Sequence, residues 1–396
     1  MVAGWRFVGL LVGVLRVLPT GNPRHANTEQ HAKPFLCPMR VVGVSGSSLD
    51  GLDLALCQLE ERDARWSFAI LDARTVPYDA AFRQRLLDAM RGSALDMARL
   101  HRDLGERIGQ ACSDLLAGHN ADLIASHGHT LFHKPEEGLT VQIGCGARIA
   151  AATGITAVCD FRTGDVALGG QGAPLVPLGE RLLFPEHTAF LNIGGICNIA
   201  LHTAEHVIGY DVCIGNQALN FLAEEAGLPY DADGALARSG EVDAELLARL
   251  NALPFHHQPP PRSLGREWFD EEVRPLIMDT RIPLAHRLRT VNEHIAQQTG
   301  QAVRGHEGPL LVTGGGAHNV FLVERIASFV PVELPAKEVI DFKEALVFAL
   351  LGALRMRGEP TALASVTGAR RDSVGGAVYA CAHPVPQLGR LSTPST

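Results

Sequence analysis

A chain of 396 residues is long enough for two domains at about 150 residues each. With 46% hydrophobic and 20% charged residues it reads as a soluble globular protein rather than a disordered one. A formal net charge of -8, with no long block of like charges, excludes a nucleic-acid scaffold and a polybasic membrane anchor. The 8 cysteines are scattered without a C-x-x-C pair, so reduced thiols in the cytosol are expected in place of a disulfide framework or zinc site. The 17 histidines include no H-E-x-x-H, and histidine metal ligation is not expected.

Residues 1–38 differ from the rest. Their apolar run, 7–15, is far short of the roughly 20 residues a membrane span needs, and no small-residue cleavage site follows. They are expected to be a dispensable leader or a mis-called start, with Met39 the natural beginning. Strands are predicted at 40–45, 53–60 and 66–78 from β-branched and aromatic content between turn residues. Leu100, Leu104, Ile108, Cys112 and Leu115 recur every three or four residues and predict an amphipathic helix. A short buried strand, 122–126, ends in a loop bearing His127, His129 and His133. The plan then repeats: strands at 188–193, 196–202 and 207–211, a helix starting near Asn216, and a strand 310–313 followed by a helix 317–328. A last helix, 342–357, is apolar nearly all round and is expected between layers. The fold class is therefore α/β, with duplicated domains at 39–185 and 186–396, C-terminal helices returning to the first, and a cleft between the copies where the strand ends gather.

Four stretches carry candidate chemistry. Gly46, Ser47, Ser48, Leu49, Asp50, Gly51, Leu52 and Asp53 form a predicted hairpin whose N–H groups suit a phosphate. Asp50 or Asp53 is able to hold Mg2+ through water. The same stretch also reads as a plain hairpin with an Asp-Gly turn. Gly194 and Gly195, and Gly314, Gly315 and Gly316 with Asn319, are able to line phosphates and a nucleobase from the other side, or to serve as packing glycines. Asp160 and Asp165 flank Arg162 ahead of Gly169, Gly170 and Gly172. Two carboxylates with a cation between them suit acid–base work, and equally an Asp–Arg structural pair.

These residues fall into a recognisable set: Gly43-x-Ser45-Gly46-Ser47-Ser48-x-Asp50-Gly51-x-Asp53, His127-Gly128-x-Thr130-x-x-His133-x-Pro135, and Asp160-Phe161-Arg162-x-x-Asp165 with Gly169-Gly170-Gln171-Gly172-Ala173-Pro174. Asn192-Ile193-Gly194-Gly195-Ile196-x-Asn198, Gly314-Gly315-Gly316-Ala317-His318-Asn319, Glu344-Ala345 and Thr367-Gly368-Ala369 complete it. The chain resembles the anhydro-N-acetylmuramic acid kinases, sugar kinases of the actin/hexokinase/Hsp70-like ATPase superfamily, from about residue 39 to 379. The resemblance implies duplicated ribonuclease-H-like domains closing on substrate, a cytoplasmic homodimer, and a role in peptidoglycan recycling. It implies that ATP, Mg2+, 1,6-anhydro-N-acetylmuramic acid and water give N-acetylmuramic acid 6-phosphate and ADP. It also implies that 46–53 holds the ATP phosphates and that Asp165 activates water, with Asp160 and Arg162 positioning it. The sequence does not decide between the two aspartates. His127, Gly128, Thr130, Gln171 and Glu344 are expected on the sugar, and 314–319 near the nucleotide. Departures are Cys145 for the family's aspartate, Asp211-Val212-Cys213-Ile214-Gly215-Asn216 for D-T-G-P-G-N, and Asn220 for an aspartate. The alternatives are another sugar kinase of the superfamily and a catalytically weakened nucleotide-binding paralogue.

Overall fold

A computed structural model describes residues 38–46, 51–203, 207–260 and 262–381. Residues 1–37, and with them nearly all of the expected leader, lie outside that set. In chain order the strands are β1 (Met39–Ser45), β2 (Gly51–Arg62), β3 (Arg65–Pro77), β4 (Leu123–Ser126), β5 (His129–Lys134), β6 (Leu139–Ile143) and β7 (Ala157–Cys159). There follow β8 (Ala189–Ile193), β9 (Ile196–His202), β10 (Val207–Ile214), β11 (Leu310–Thr313), β12 (Val332–Glu333) and β13 (Ala377–Tyr379).

The first sheet has the order β13-β7-β4-β1-β2-β3 and the second β10-β9-β8-β11-β12. In the first, β1, β2 and β3 form an antiparallel meander, while β4 runs parallel to β1 and β7 parallel to β4. In the second, β8, β9 and β10 form the same meander, with β11 parallel to β8 and β12 parallel to β11. One five-strand plan therefore occurs twice, which is the duplicated ribonuclease-H-like, actin-like ATPase fold. Strand composition follows position. Central β1 (MRVVGVS) is buried along its last five residues, whereas along the first half of edge strand β3 exposed residues alternate with Trp66 and half-buried ones.

The helix Ala94–Leu115 starts at a capping box between Ser93 and Asp96, and it buries Leu100, Leu104, Ile108, Cys112 and Leu115 as the periodicity predicts. The helix Lys337–Arg357 begins a turn before the predicted 342–357, and Phe342, where the apolar pattern starts, has non-helical torsions of φ -122 and ψ 19. Its buried residues from Ala345 to Leu354 pack on β1, β2 and β4, on the helix Val176–Leu183, and on Phe190 and Leu311 of the second sheet. Each fully buried Leu or Phe there contributes about 1.5–3 kcal/mol. Gly43 permits the approach, because a Cβ on it would overlap the carbonyl of Ala345. The strand that ends at Ser45 and the helix that carries Glu344 are thus fixed against each other backbone to backbone.

The helix Leu284–Ala302 has no counterpart in the sequence reading. Leu288, Val291 and Ile295 keep a helical spacing, but Arg287, Thr290, Asn292, Glu293, His294, Gln298 and Thr299 are buried alongside them, so polar residues interrupt the apolar stripe.

Candidate active site

Parallel β1 and β4 end side by side, with Val44 opposite Ser126, so Ser45 and His127 emerge together. The His127 ring lies 3.1 Å (Nδ1) from the Gly128 carbonyl and 3.0 Å (Nε2) from Arg162 Nε. A carbonyl accepts and a guanidinium donates, so Nδ1 carries the proton and Nε2 receives the Arg162 N–H. His127 is therefore neutral, and burial, reinforced by Arg162, pushes its pKa down to about 3. Arg162 Nη1 also donates to the Gly172 carbonyl at 2.7 Å, tying the histidine loop to the glycine run. Burial lowers the Arg162 pKa while the Glu344 charge opposes that, and the guanidinium stays ionised. Glu344 accepts the Ser45 hydroxyl at 2.6 Å. Ser45, His127, Arg162 and Glu344 thus form one polar cluster. Gly128 turns the chain at φ 71 with a Cβ position that would overlap the Ile143 carbonyl, so another residue there would displace β6. Thr130 is beside Gln142, whose amide donates to it at 3.4 Å.

The two aspartates of the central run differ sharply. Asp165 is 0% exposed. Its Oδ2 accepts the Gly172 N–H at 2.8 Å, and its Oδ1 accepts the hydroxyls of Thr367 at 2.8 Å and Ser373 at 3.4 Å. Gly170 has no room for a Cβ against that carboxylate. These contacts lock the glycine run onto the Thr367 turn and hold the Asp165 carboxylate in one orientation, with Oδ2 accepting one protein donor among the described residues. Asp160 is half-buried, sits at φ 59, and accepts the Thr163 hydroxyl at 2.6 Å on one oxygen. Gln171 is exposed, with its backbone N–H on the Thr367 carbonyl at 2.8 Å.

The glycine turns of the second sheet converge on one another. Gly215 N–H and Asn216 N–H donate to the carbonyls of Gly195 and Gly194, both at 2.9 Å. Gly314, at φ 85, donates to the Ile340 carbonyl at 3.1 Å, and a Cβ on it would lie 2.6 Å from Asn192 Oδ1. A Cβ on Gly315 would lie 3.7 Å from Asn216 Nδ2. Asn319 uses its side-chain oxygen to cap the helix Val320–Ala327, through the Leu322 N–H at 2.9 Å. In the first hairpin, Gly46 takes the Nδ1 of His129 against its carbonyl at 3.0 Å, Gly51 abuts Val76, Leu52 is buried, and Asp53 accepts the Thr75 hydroxyl at 2.6 Å. Ser47, Ser48, Leu49 and Asp50 lie outside the described residues. Among the described residues no three His, Cys, Asp or Glu side chains converge on a metal position.

The sequence reading noted Asp211 only as part of an altered turn. In the structure it lies at a register shift of β10 against β9. Its Oδ2 accepts the Leu264 N–H at 2.8 Å and the Ser263 hydroxyl at 3.1 Å. Burial pushes its pKa above the ordinary aspartate value, against the pull of those two donors, whereas shifted carboxyls such as Asp79 and Asp341 are held below it. Gly209, two residues earlier on the same face of the strand, has Pro174 of the glycine run 3.5 Å from its Cβ position. A lone aspartate in a strand carries no sequence signal, since the bulge and the burial exist only in three dimensions.

Two ribonuclease-H-like sheets, each opening on glycine turns, with polar clusters at the strand ends between them, define the class of the actin-like ATPases and sugar kinases. The sequence matches the family anhydro-N-acetylmuramic acid kinase over residues 39–381. The Vibrio cholerae anhydro-N-acetylmuramic acid kinase is 37% identical over 364 residues, 85% of this chain and 97% of its own. The Gloeobacter violaceus enzyme of that name is 37% identical over 369 residues, 84% and 97%, and the Synechococcus elongatus one 36% over 380 residues, 86% and 100%. The chain belongs to the anhydro-N-acetylmuramic acid kinase family.

Proposed function

We infer that the chain is an ATP-dependent kinase that opens the 1,6-anhydro ring of 1,6-anhydro-N-acetylmuramic acid with water and phosphorylates O6. The products are N-acetylmuramic acid 6-phosphate and ADP, and the reaction serves peptidoglycan recycling. The observation that carries this reading is the family match, which runs from β1 to β13 and through every motif of the site.

In this reaction water adds to the anomeric carbon, the bond from that carbon to O6 breaks, and O6 takes the γ-phosphoryl group as ADP leaves. The developing negative charge on O6 passes to the phosphoryl group, so a separate general acid is unnecessary. Phosphoryl transfer rests on positioning and charge stabilisation. We assign the phosphates to the glycine turns at 46–53, 194–195 and 314–316, with Asn319 fixing the start of the helix behind the last. His127, Gly128, Thr130, Gln171 and Glu344 are assigned to the sugar. A neutral His127 accepts Arg162 and holds the guanidinium toward Glu344. Mg2+ would offset phosphate charge and would need at most one or two carboxylates to hold it, through water, with Asp50 as our candidate. For the base we propose Asp165, held in one orientation by the Gly172 N–H and the Thr367 hydroxyl, with Asp160 and Arg162 positioning the attack. Asp160 is a second reading, favoured by its left-handed backbone, a conformation that non-glycine residues keep where structure over-determines them.

The enzyme is proposed to be a cytoplasmic homodimer, which size-exclusion chromatography with light scattering checks. No helix among the described residues is long and apolar enough to cross a membrane. The functional test is a coupled ADP-release assay. ADP release that requires the anhydro sugar supports the reading, and equal release with an ordinary amino sugar in its place favours another sugar kinase.

A further inference from the structure

We propose that one face of the β5–β6 ribbon is the subsite that selects the sugar. His133 donates to the carboxylate of the lactyl ether that muramic acid carries, and Gln142 accepts from an N–H or O–H of the sugar beside it. This rests on the reading that the chain acts on 1,6-anhydro-N-acetylmuramic acid.

A register shift builds the face. Thr130 pairs with Gln142 and His133 with Thr140, and buried Leu131 is an extra residue between Thr130 and Phe132. In a regular ribbon Thr130 and His133, three residues apart, would point to opposite faces. The extra residue brings both to the face that Thr140 and Gln142 share. The four side chains form one hydrogen-bonded row. Gln142 Nε2 donates to Thr140 Oγ1 at 2.8 Å and to Thr130 Oγ1 at 3.4 Å, and Thr140 Oγ1 lies 3.1 Å from His133 Nδ1. The Thr140 hydroxyl therefore donates to that nitrogen, which is nearer than the Phe132 carbonyl at 3.5 Å. A neutral histidine that accepts at Nδ1 carries its proton on Nε2. The row thus offers, in order, an imidazole N–H at His133, an amide oxygen at Gln142 and a hydroxyl at Thr130.

The row is incomplete by itself. Gln142 Oε1 is buried and has no hydrogen-bond partner among the described residues, a condition that folded chains rarely keep unless a water or ligand meets the atom. A ribbon that only supported its neighbours would satisfy both ends of that amide. The row also lies toward the central run: the helix Thr163–Ala167, which starts directly after Arg162, packs on β6, and Thr140 is buried. Burial and the Arg162 charge hold the His133 ring below its ordinary pKa, against the opposing charge of Glu136, so the ring is a neutral donor. Arg162 spends Nε on His127 and Nη1 on the Gly172 carbonyl. A carboxylate at His133 meets an N–H and lies in the field of that guanidinium, which an uncharged substituent does not exploit. Lys134, next along β5, is tied to Glu137 at 2.7 Å.

The experiment measures kcat/KM for ADP release by the full-length protein on 1,6-anhydro-N-acetylmuramic acid and on 1,6-anhydro-N-acetylglucosamine, which differ only in the lactyl ether. Wild type, H133A and H133Q are compared, with melting temperatures as a folding control; His133 is exposed, so its replacement tests contact more than folding. Loss of a hydrogen bond to a charged group costs about 10- to 100-fold. H133A should lose that factor on the muramic sugar and less than about threefold on the other, and H133Q, which keeps an N–H donor, should recover part of the preference. Equal wild-type kcat/KM on the two sugars, or an equal change on both in H133A, overturns the subsite while the kinase reading stands. No ADP release by the wild type with either sugar overturns the kinase reading and the subsite with it.

Discussion

Asp165 carries two loads that substitution separates: it ties the glycine run to the Thr367 turn, and it is the proposed base. In Asp165→Ala the Gly172 N–H loses its acceptor in a buried site, and Ser373 loses its contact. Thr367 keeps an outlet, because its hydroxyl also lies 3.3 Å from the Leu363 carbonyl. One orphaned backbone donor and weakened hydroxyl bonds together cost about 2–4 kcal/mol. Asp165→Asn is gentler. Its amide oxygen can accept the Gly172 N–H, and its NH2 can face Thr367 once that hydroxyl turns to Leu363. The loss is then charge assistance to two bonds, about 1–2 kcal/mol. With Asp165 as the base, Asp165→Asn should melt only a few degrees lower yet lose about 10²–10⁴-fold in kcat. Thermal melts paired with the ADP-release assay read both quantities. An Asp165→Asn protein that melts a few degrees lower yet keeps kcat within about tenfold would refute the reasoning and leave Asp165 a structural residue alone.

Other consequences are equally direct. Burial pushes the pKa of His127, His256 and His294 down to about 3, 4 and 3, from an ordinary 6.5. Between pH 6.5 and about 4 the unfolded chain binds protons there that the folded chain does not. Their contribution is therefore complete above pH 6.5 and declines as pH falls, by about 1.4 kcal/mol per pH unit for each histidine. Urea midpoints at pH 7.5 and 5 should differ accordingly, and equal midpoints would contradict the buried neutral state. Lys343 donates to Glu180 at 2.8 Å, and Glu180 also meets His202 at 3.2 Å, all three buried. Lys343→Met should cost about 3–5 kcal/mol by stranding the carboxylate, and adding Glu180→Gln should recover part of the loss in a denaturation series. Gly43→Ala should cost about 1–3 kcal/mol or more, because the new Cβ meets the Ala345 backbone. It should also lower kcat by displacing Glu344, which a melt and a turnover assay on one preparation would show together.

Much of the fold was legible because it follows local pattern. β-branched runs between turns mark the meander strands, and the apolar period marks the helix Ala94–Leu115. The helix Leu284–Ala302 was hidden because polar partners pack its inner face: His294 meets Asn251 at 2.7 Å and Arg325 meets Glu293 at 2.9 Å, interactions between distant residues that periodicity does not register. The short strands β7, β12 and β13 were also not predicted, since two or three residues carry too little pattern. At the site, the residue types of the 160–174 run were plain from sequence, but not how the Asp165 carboxylate is held. That depends on Thr367 and Ser373, about two hundred positions away, closing over Asp165. Asp211 was legible only as part of an altered turn, since its carboxylate partners, Ser263 and Leu264, lie some fifty positions away.

The central claim is that one enzyme opens the anhydro bond with water and phosphorylates the oxygen released. Turnover in water labelled with heavy oxygen, followed by mass spectrometry of the sugar phosphate, tests it directly. The account predicts one labelled oxygen per molecule at the anomeric carbon, an unlabelled phosphate on O6, and one ADP per sugar. ADP formation with no label at the anomeric carbon, or label in the phosphate group, would contradict it.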